Sequence, residues 1–156
     1  MVHWIIWLNY IANGDHLIVS MSEVTRMSAL TLIVKNMEKS CSFYSNIPGF
    51  KLIYGGSPND SFTTYEFGKF NSITCLNLEQ MKISDDKLDQ YNNNNNFGRV
   101  IFHTNNVDRL YAYFKNNKSF SKLILIENEP VNASWNERYF HLRDPDGFQL
   151  SFAQPI

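Results

Sequence analysis

The side chains best suited to metal binding, acid–base work or nucleophilic attack are few. The 156-residue sequence has four histidines, His3, His16, His103 and His141, and two cysteines, Cys41 and Cys75. The histidines do not fall at zinc-ligand spacings, and neither cysteine lies in a Cys-x-x-Cys pair. There is no glycine-rich phosphate loop and no Gly-x-Ser-x-Gly elbow. What remains is positional. Arg99 and His103 stand four residues apart in an apolar run, which puts them on one face if that run is a strand. His141 alternates with Tyr139 and Arg143, so it faces either a cavity or solvent. Glu79 sits at the end of another apolar run, where an exposed strand-end carboxylate is its simplest role. Cys41 reads as a buried small hydrophobe, and burial would raise the Cys75 thiol pKa and quiet it.

The 44% hydrophobic content and this length suit one compact domain that needs no disulfide framework. With 14 basic residues scattered against 15 acidic ones, the net charge of -1 argues against nucleic acid or an anionic membrane as the main partner. No apolar run is long enough for a membrane span, and the opening Met1–Leu8 lacks the basic flank of a secretory signal. A reduced, cytoplasmic setting is expected from the cysteine usage. The 12 Phe, 8 Tyr and 3 Trp supply enough aromatic surface both to fill a core and to line a cavity.

Residues 1–26 read as an N-terminal extension, dispensable for the fold and carrying two of the tryptophans, and residues 27–156 as the domain. Leu30, Leu32 and Val34 alternate with Ala29, Thr31 and Ile33, the signature of a strand with two unlike faces. Asn36 is a helix N-cap followed by Met37, Cys41, Tyr44 and Ile47 at helical spacing, and Pro48-Gly49 ends that helix. Phe50–Gly55, Phe62–Phe67 and Ser72–Leu78 are further strands. Module 1 thus spans about 28–80, and a polar linker ending in the run Asn92–Asn96 covers 81–97. Module 2, about 98–155, repeats the order. Val100, Phe102 and Thr104 form a strand, Asn106 caps a helix, and Leu123–Ile126, Glu137–Leu142 and Phe148–Ala153 are strands. Asn36-Met37-Glu38-Lys39 matches Asn106-Val107-Asp108-Arg109 at an offset of 70 residues, as Phe43-Tyr44 matches Tyr113-Phe114, so the chain is an internal duplication.

Three stretches then carry a resemblance. Val34–Ser40 with Phe43-Tyr44 and Gly49-Phe50, Asn106–Tyr111, and Trp135–Phe140 with Arg143-Asp144-Pro145-Asp146-Gly147 resemble, in order, segments of vicinal-oxygen-chelate proteins, the superfamily of glyoxalases, bleomycin resistance proteins and extradiol dioxygenases. The resemblance covers about residues 28–155. It implies an α+β fold of two tandem βαβββ modules whose curled mixed sheets surround a cavity. Metal-dependent members hold an ion between histidine and glutamate side chains and use it as a Lewis acid.

The positions corresponding to those ligands fall here on Ala29, Arg99 and Ser151. Alanine cannot ligate, neutral serine is a poor ligand, and a guanidinium repels a cation. The nearby Leu32, Val34, Ile101 and Ala153 are no better. His103 and Glu79 are only weak substitutes, so no metal and no other cofactor is expected. The resemblance is closest to the metal-free bleomycin-resistance branch, which implies a homodimer that sequesters a small aromatic or anionic molecule, an antibiotic among the possibilities. The binding residues expected are Arg99, His103, Trp135, Ser151, Thr31 and Tyr65. Arg99 would hold an anionic group unless Glu66 or Glu79 neutralises it. The alternative is a lyase or dioxygenase with an atypical ligand set drawn from His103 and Glu79.

Overall fold

The computed structural model describes Val24 and residues 26–69, 72–82, 98–120 and 122–156. The N-terminal extension up to residue 23 and most of the 81–97 linker lie outside the described residues. Strands β1 (Ala29–Val34), β2 (Lys51–Tyr54), β3 (Phe62–Phe67) and β4 (Thr74–Gln80), with helix α1 (Met37–Tyr44), form the first module. Strands β5 (Arg99–His103), β6 (Leu125–Ile126), β7 (Val131–Asn132), β8 (Glu137–Arg143) and β9 (Gln149–Pro155), with helix α2 (Val107–Asn116), form the second. The first sheet runs β1-β4-β3-β2 and the second β5-β9-β8-β6, with β7 also paired to β8. In both, the first strand lies parallel to the last while the remaining pairs are antiparallel. The two-module α+β fold is therefore as the sequence implies. The second module departs in one respect: its second strand is split in two, with Pro130, which has no N–H to give a ladder, between the pieces.

Both helices start the same way for the same reason. The Asn36 side chain accepts from the Lys39 N–H at 2.9 Å, and Asn106 accepts from the Arg109 N–H at 2.8 Å. Each cap satisfies a donor that the first turn leaves unpaired and is worth about 1 kcal/mol. A glutamine at the end of each module takes another. The Gln80 Oε1 accepts from the Met37 N–H at 3.0 Å, and Gln154 Oε1 from the Val107 N–H at 2.5 Å. Pro48 and Gly49, the latter at φ 94°, follow α1 and stop it.

Period-two alternation decides which face of each sheet is buried. Leu32, Val34, Leu76 and Leu78 turn toward α1, and Phe102, Phe140, Leu150 and Phe152 toward α2. These helix-side faces join in one core across the two modules. Phe43 of α1 meets Phe114 of α2 at 6.2 Å between ring centroids and Phe120 at 5.8 Å. Phe50 and Phe67 stack at 4.9 Å, and both present edges to Phe102 at 5.4 Å. Burying each such ring stabilises the fold by about 2–3 kcal/mol before conformational costs.

The Asp144-Pro145-Asp146-Gly147 turn does more than reverse the chain. Both carboxylates are buried, and both reach into the first module. Asp146 accepts from the Lys35 N–H at 2.7 Å and from Ser40 Oγ at 2.7 Å. Asp144 accepts from the Tyr44 hydroxyl at 2.7 Å, and also from the N–H groups of Asp146 and Phe148 at 3.0 and 2.8 Å. Gly147, at φ 90°, adopts the left-handed conformation the turn needs. The last hairpin is thereby locked along α1, from Lys35 just before it to Tyr44 at its end.

Candidate functional site

The faces of the sheets turned away from the core remain open. On the first, Thr64 Oγ1 donates to Asn77 Oδ1 at 3.0 Å and Asn77 Nδ2 donates to Thr31 Oγ1 at 3.2 Å, a polar ladder across three strands. Lys51 pairs with Glu66 at 2.8 Å on the same face. Glu79 stands there opposite Ile33 and Phe62. The two sheets of one chain do not close on each other over these faces, so the expected cavity is open within a single chain.

The open face of the second sheet is richer in chemistry. Strand register sets it out in rows across β5, β9 and β8. Arg99, Gln149 and Arg143 make the first row. Ile101, Ser151 and His141 make the second, and His103, Ala153 and Tyr139 the third. Glu137 follows on β8 beyond the third row. A cleft of about 410 Å³ opens over the first two rows, lined by Gly98, Arg99, Ile101, Arg143 and Gln149.

Arg99 Nε donates to Gln149 Oε1 at 2.7 Å. Gln149 Nε2 in turn donates to Glu127 Oε2, and Arg143 Nε donates to Glu127 Oε1 at 2.7 Å. Burial works against the Glu127 charge, but the hydrogen bonds from Gln149 and Arg143 outweigh it and hold its carboxyl below the usual range. Among the described residues no carboxylate pairs with Arg99; Glu66 is engaged by Lys51, and Glu79 lies on the other sheet. Two guanidiniums thus face one carboxylate, and Arg99 reaches it only through an amide.

Ser151 is 3% exposed at the floor of the second row, between Ile101 and His141. Burial and the nearby Arg99 charge push the His141 pKa down, and Glu127 only partly opposes them. Both effects disfavour the charged form of its imidazole. Its Nδ1 is buried and has no hydrogen-bond partner among the described residues. The His141 ring lies 4.7 Å from that of Tyr139, and Tyr139 stacks on Trp135 at 6.0 Å and 15°. Trp135 is 63% exposed, yet its orientation is fixed: Nε1 donates to Glu137 Oε2 at 2.9 Å, and His103 Nε2 meets Glu137 Oε1 at 3.1 Å. Asn136, at φ 63°, supplies the left-handed residue that lets the chain turn between Trp135 and β8.

Of the residues singled out from sequence, Arg99, His103, Ser151 and Trp135 come together on this one face. Thr31 lies on the open face of the other sheet. Tyr65 does not belong to either open face. It alternates with Glu66 and so turns inward, where it is fully buried and its hydroxyl meets Ser45 Oγ at 2.9 Å beside the end of α1. His141, Arg143, Gln149 and Glu127 were not singled out as binding residues. The first three follow from period two once Ser151 or Arg99 is fixed, whereas Glu127 arrives from the irregular stretch after β6.

A metal does not fit these residues. Ala29 offers a methyl group, Arg99 a cation and Ser151 a neutral hydroxyl. His103 is engaged by Glu137 on the second sheet while Glu79 lies on the first, so the two substitutes do not converge within the chain. Among the described residues no group of three His, Cys, Asp or Glu side chains could hold an ion.

Residues 26–152 match the model of the Glyoxalase/Bleomycin resistance protein/Dioxygenase superfamily. Solved structures agree in fold at low identity. A glyoxalase/bleomycin resistance protein/dioxygenase family enzyme from Burkholderia phytofirmans superposes with a TM-score of 0.63 at 14% identity, covering 85% of this chain and 100% of that one. A glyoxalase/bleomycin resistance protein/dioxygenase from Nocardioides gives 0.60 at 16%, covering 99% and 93%. The bleomycin resistance determinant encoded on transposon Tn5 gives 0.56 at 16%, covering 84% and 98%. No curated protein matches the sequence.

Proposed function

Because the chain belongs to the Glyoxalase/Bleomycin resistance protein/Dioxygenase superfamily, we propose that it binds and sequesters a small anionic or aromatic molecule on the open face of its second sheet. It does so without metal chemistry; an antibiotic is one class of molecule that would fit the role. The observation that carries this reading is the Arg99 guanidinium, which lines the cleft near a buried serine and a histidine whose charged form is disfavoured, and which, among the described residues, bonds only to a neutral amide. Such a cation recognises a carboxylate or phenolate through its planar fork. Ser151 and His141 offer polar groups that fix orientation, while Ile101 and the Trp135–Tyr139 stack offer apolar surface.

Calorimetry with a panel of simple aryl carboxylates tests it. Arg99 is exposed in the single chain, so a contact to it is worth less than a buried one. Arg99→Ala is expected to weaken such ligands by about 1–2 kcal/mol. Equal affinity in wild type and variant, or tighter binding of organic cations, counts against the reading.

The same proposal includes a homodimer in the cytoplasm. Both open faces bear exposed apolar groups, among them Ile101 and Tyr54, and a second copy laid across them would close the cleft and cover that surface. Light scattering at tens of micromolar is expected to return twice the mass of one chain, and a monomer there removes this part of the proposal.

A further inference from the structure

The open face of the second sheet changes character along its length, and that gradient specifies more than an anion. At the first row two guanidiniums, Arg99 and Arg143, face the single carboxylate of Glu127, an excess of one positive charge among the described residues. A ligand with one negative charge balances it. A cation is repelled there, and a second negative charge finds no partner among the described residues of that row. Toward the other end the wall becomes aromatic: His141 and Tyr139 of β8 and Trp135 just before it follow one another in contact. That end also carries the Glu137 carboxylate, which accepts from Trp135 Nε1 and meets His103 Nε2. At a strand rise of roughly 3.3 Å per residue, the four residues from the Arg99 row to the His103 row span about 13 Å. Between them lies Ile101, 59% exposed.

We propose that the ligand is an elongated, singly charged aryl carboxylate. Its carboxylate lies on Arg99, one ring over Ile101 and Ser151, and a second apolar ring against Tyr139 and Trp135. This rests on the binding role proposed above and adds to it a length, a charge and a direction. Trp135 is the residue that reads length. The hydrogen bond to Glu137 and the stack on Tyr139 already hold its indole, so a ring laid against it costs little side-chain entropy.

The test is calorimetry on the full chain with benzoate, biphenyl-4-carboxylate, the neutral biphenyl-4-ol and the dianion biphenyl-4,4′-dicarboxylate, against wild type, Arg99→Gln and Trp135→Ala. Biphenyl-4-carboxylate is expected to bind about tenfold more tightly than benzoate, and more tightly than either the neutral or the doubly charged analogue. Arg99→Gln is expected to weaken both monocarboxylates about tenfold. Trp135→Ala is expected to weaken biphenyl-4-carboxylate about fivefold while leaving benzoate unchanged. If benzoate and biphenyl-4-carboxylate bind alike and Trp135→Ala affects neither, or if the dianion binds best, the length and charge assignment is wrong while the anion site stands. If Arg99→Gln changes nothing, or no carboxylate binds, the anion site itself is wrong and this inference goes with it.

Discussion

Asp146→Ala is expected to cost the protein about 2–4 kcal/mol of folding stability, a large fraction of the 5–15 kcal/mol that holds a typical domain together. The residue is 8% exposed and accepts from the Lys35 N–H and Ser40 Oγ, both of the other module. Truncation does not merely delete a charge. It takes the acceptor from a part-buried backbone N–H and from a buried hydroxyl that keeps only Asn36 O, at 3.1 Å, and each lost charge-assisted hydrogen bond costs about 1–3 kcal/mol. Ser40→Ala removes one donor and leaves the carboxylate its backbone partner, so its loss is expected to be about 1 kcal/mol. Urea denaturation of the three proteins measures both. A loss under about 1 kcal/mol for Asp146→Ala means that water reaches the turn and that the modules are held by their rings alone.

The second large effect is one of pH. Burial pushes the Asp144 carboxyl up to about 6, against the hydrogen bonds from Tyr44 and Phe148 that favour its charge. Since its unfolded value is 3.8, the folded protein holds this proton more tightly than the unfolded chain does. The sign follows: the Asp144 contribution is fully present below about pH 4 and is lost as pH rises through 6. The shift of about two units corresponds to roughly 3 kcal/mol at most. Other carboxylates pull the opposite way. Glu127 is held below its ordinary value by Gln149 and Arg143, so its contribution fades as pH falls. The clean observable is therefore the difference between wild type and Asp144→Asn, followed by urea midpoint from pH 4 to pH 7. Asparagine keeps an acceptor for the turn's N–H groups and does not titrate. The stability of wild type relative to the variant is expected to fall by about 2–3 kcal/mol across that range. A difference that does not change with pH shows that Asp144 is ionised throughout.

Local signals made most of this fold readable in the sequence. Asn36 and Asn106 announce their helices because a cap is a contact over three residues. The alternation through Ala29–Val34 and Arg99–His103 names the buried face because side-chain direction in a strand is a local property. It also puts Arg99 and His103 on one face, as found. The errors lie where long-range packing decides. Tyr65 looks like a cavity aromatic, but only pairing with β2 and β4 and the position of α1 reveal that its side chain points into the core. Asp144 and Asp146 read as ordinary turn formers. Their partners Tyr44 and Ser40 lie 100 and 106 residues away, and no local pattern encodes that distance. Glu127, which links the two arginines of the cleft, comes from a stretch without periodicity, where sequence gives no direction for a side chain.

The placement of β1 beside β4, and of β5 beside β9, constrains the order in which a nascent chain assembles. The first strand of each module has no neighbour until the last strand of that module has been made, and Gln80 and Gln154, which tie down the helix starts, come at the same late point. Translation therefore releases β1 long before its partner strand exists, with only α1 at hand to cover Leu32 and Val34. The first module can close its sheet only once residue 80 has left the ribosome. Its joining to the second then waits for Asp146, one of the last groups to emerge. Such non-local closure makes for slow folding and a long window in which apolar strands are open to wrong partners. In this protein that window ends with a single tight turn.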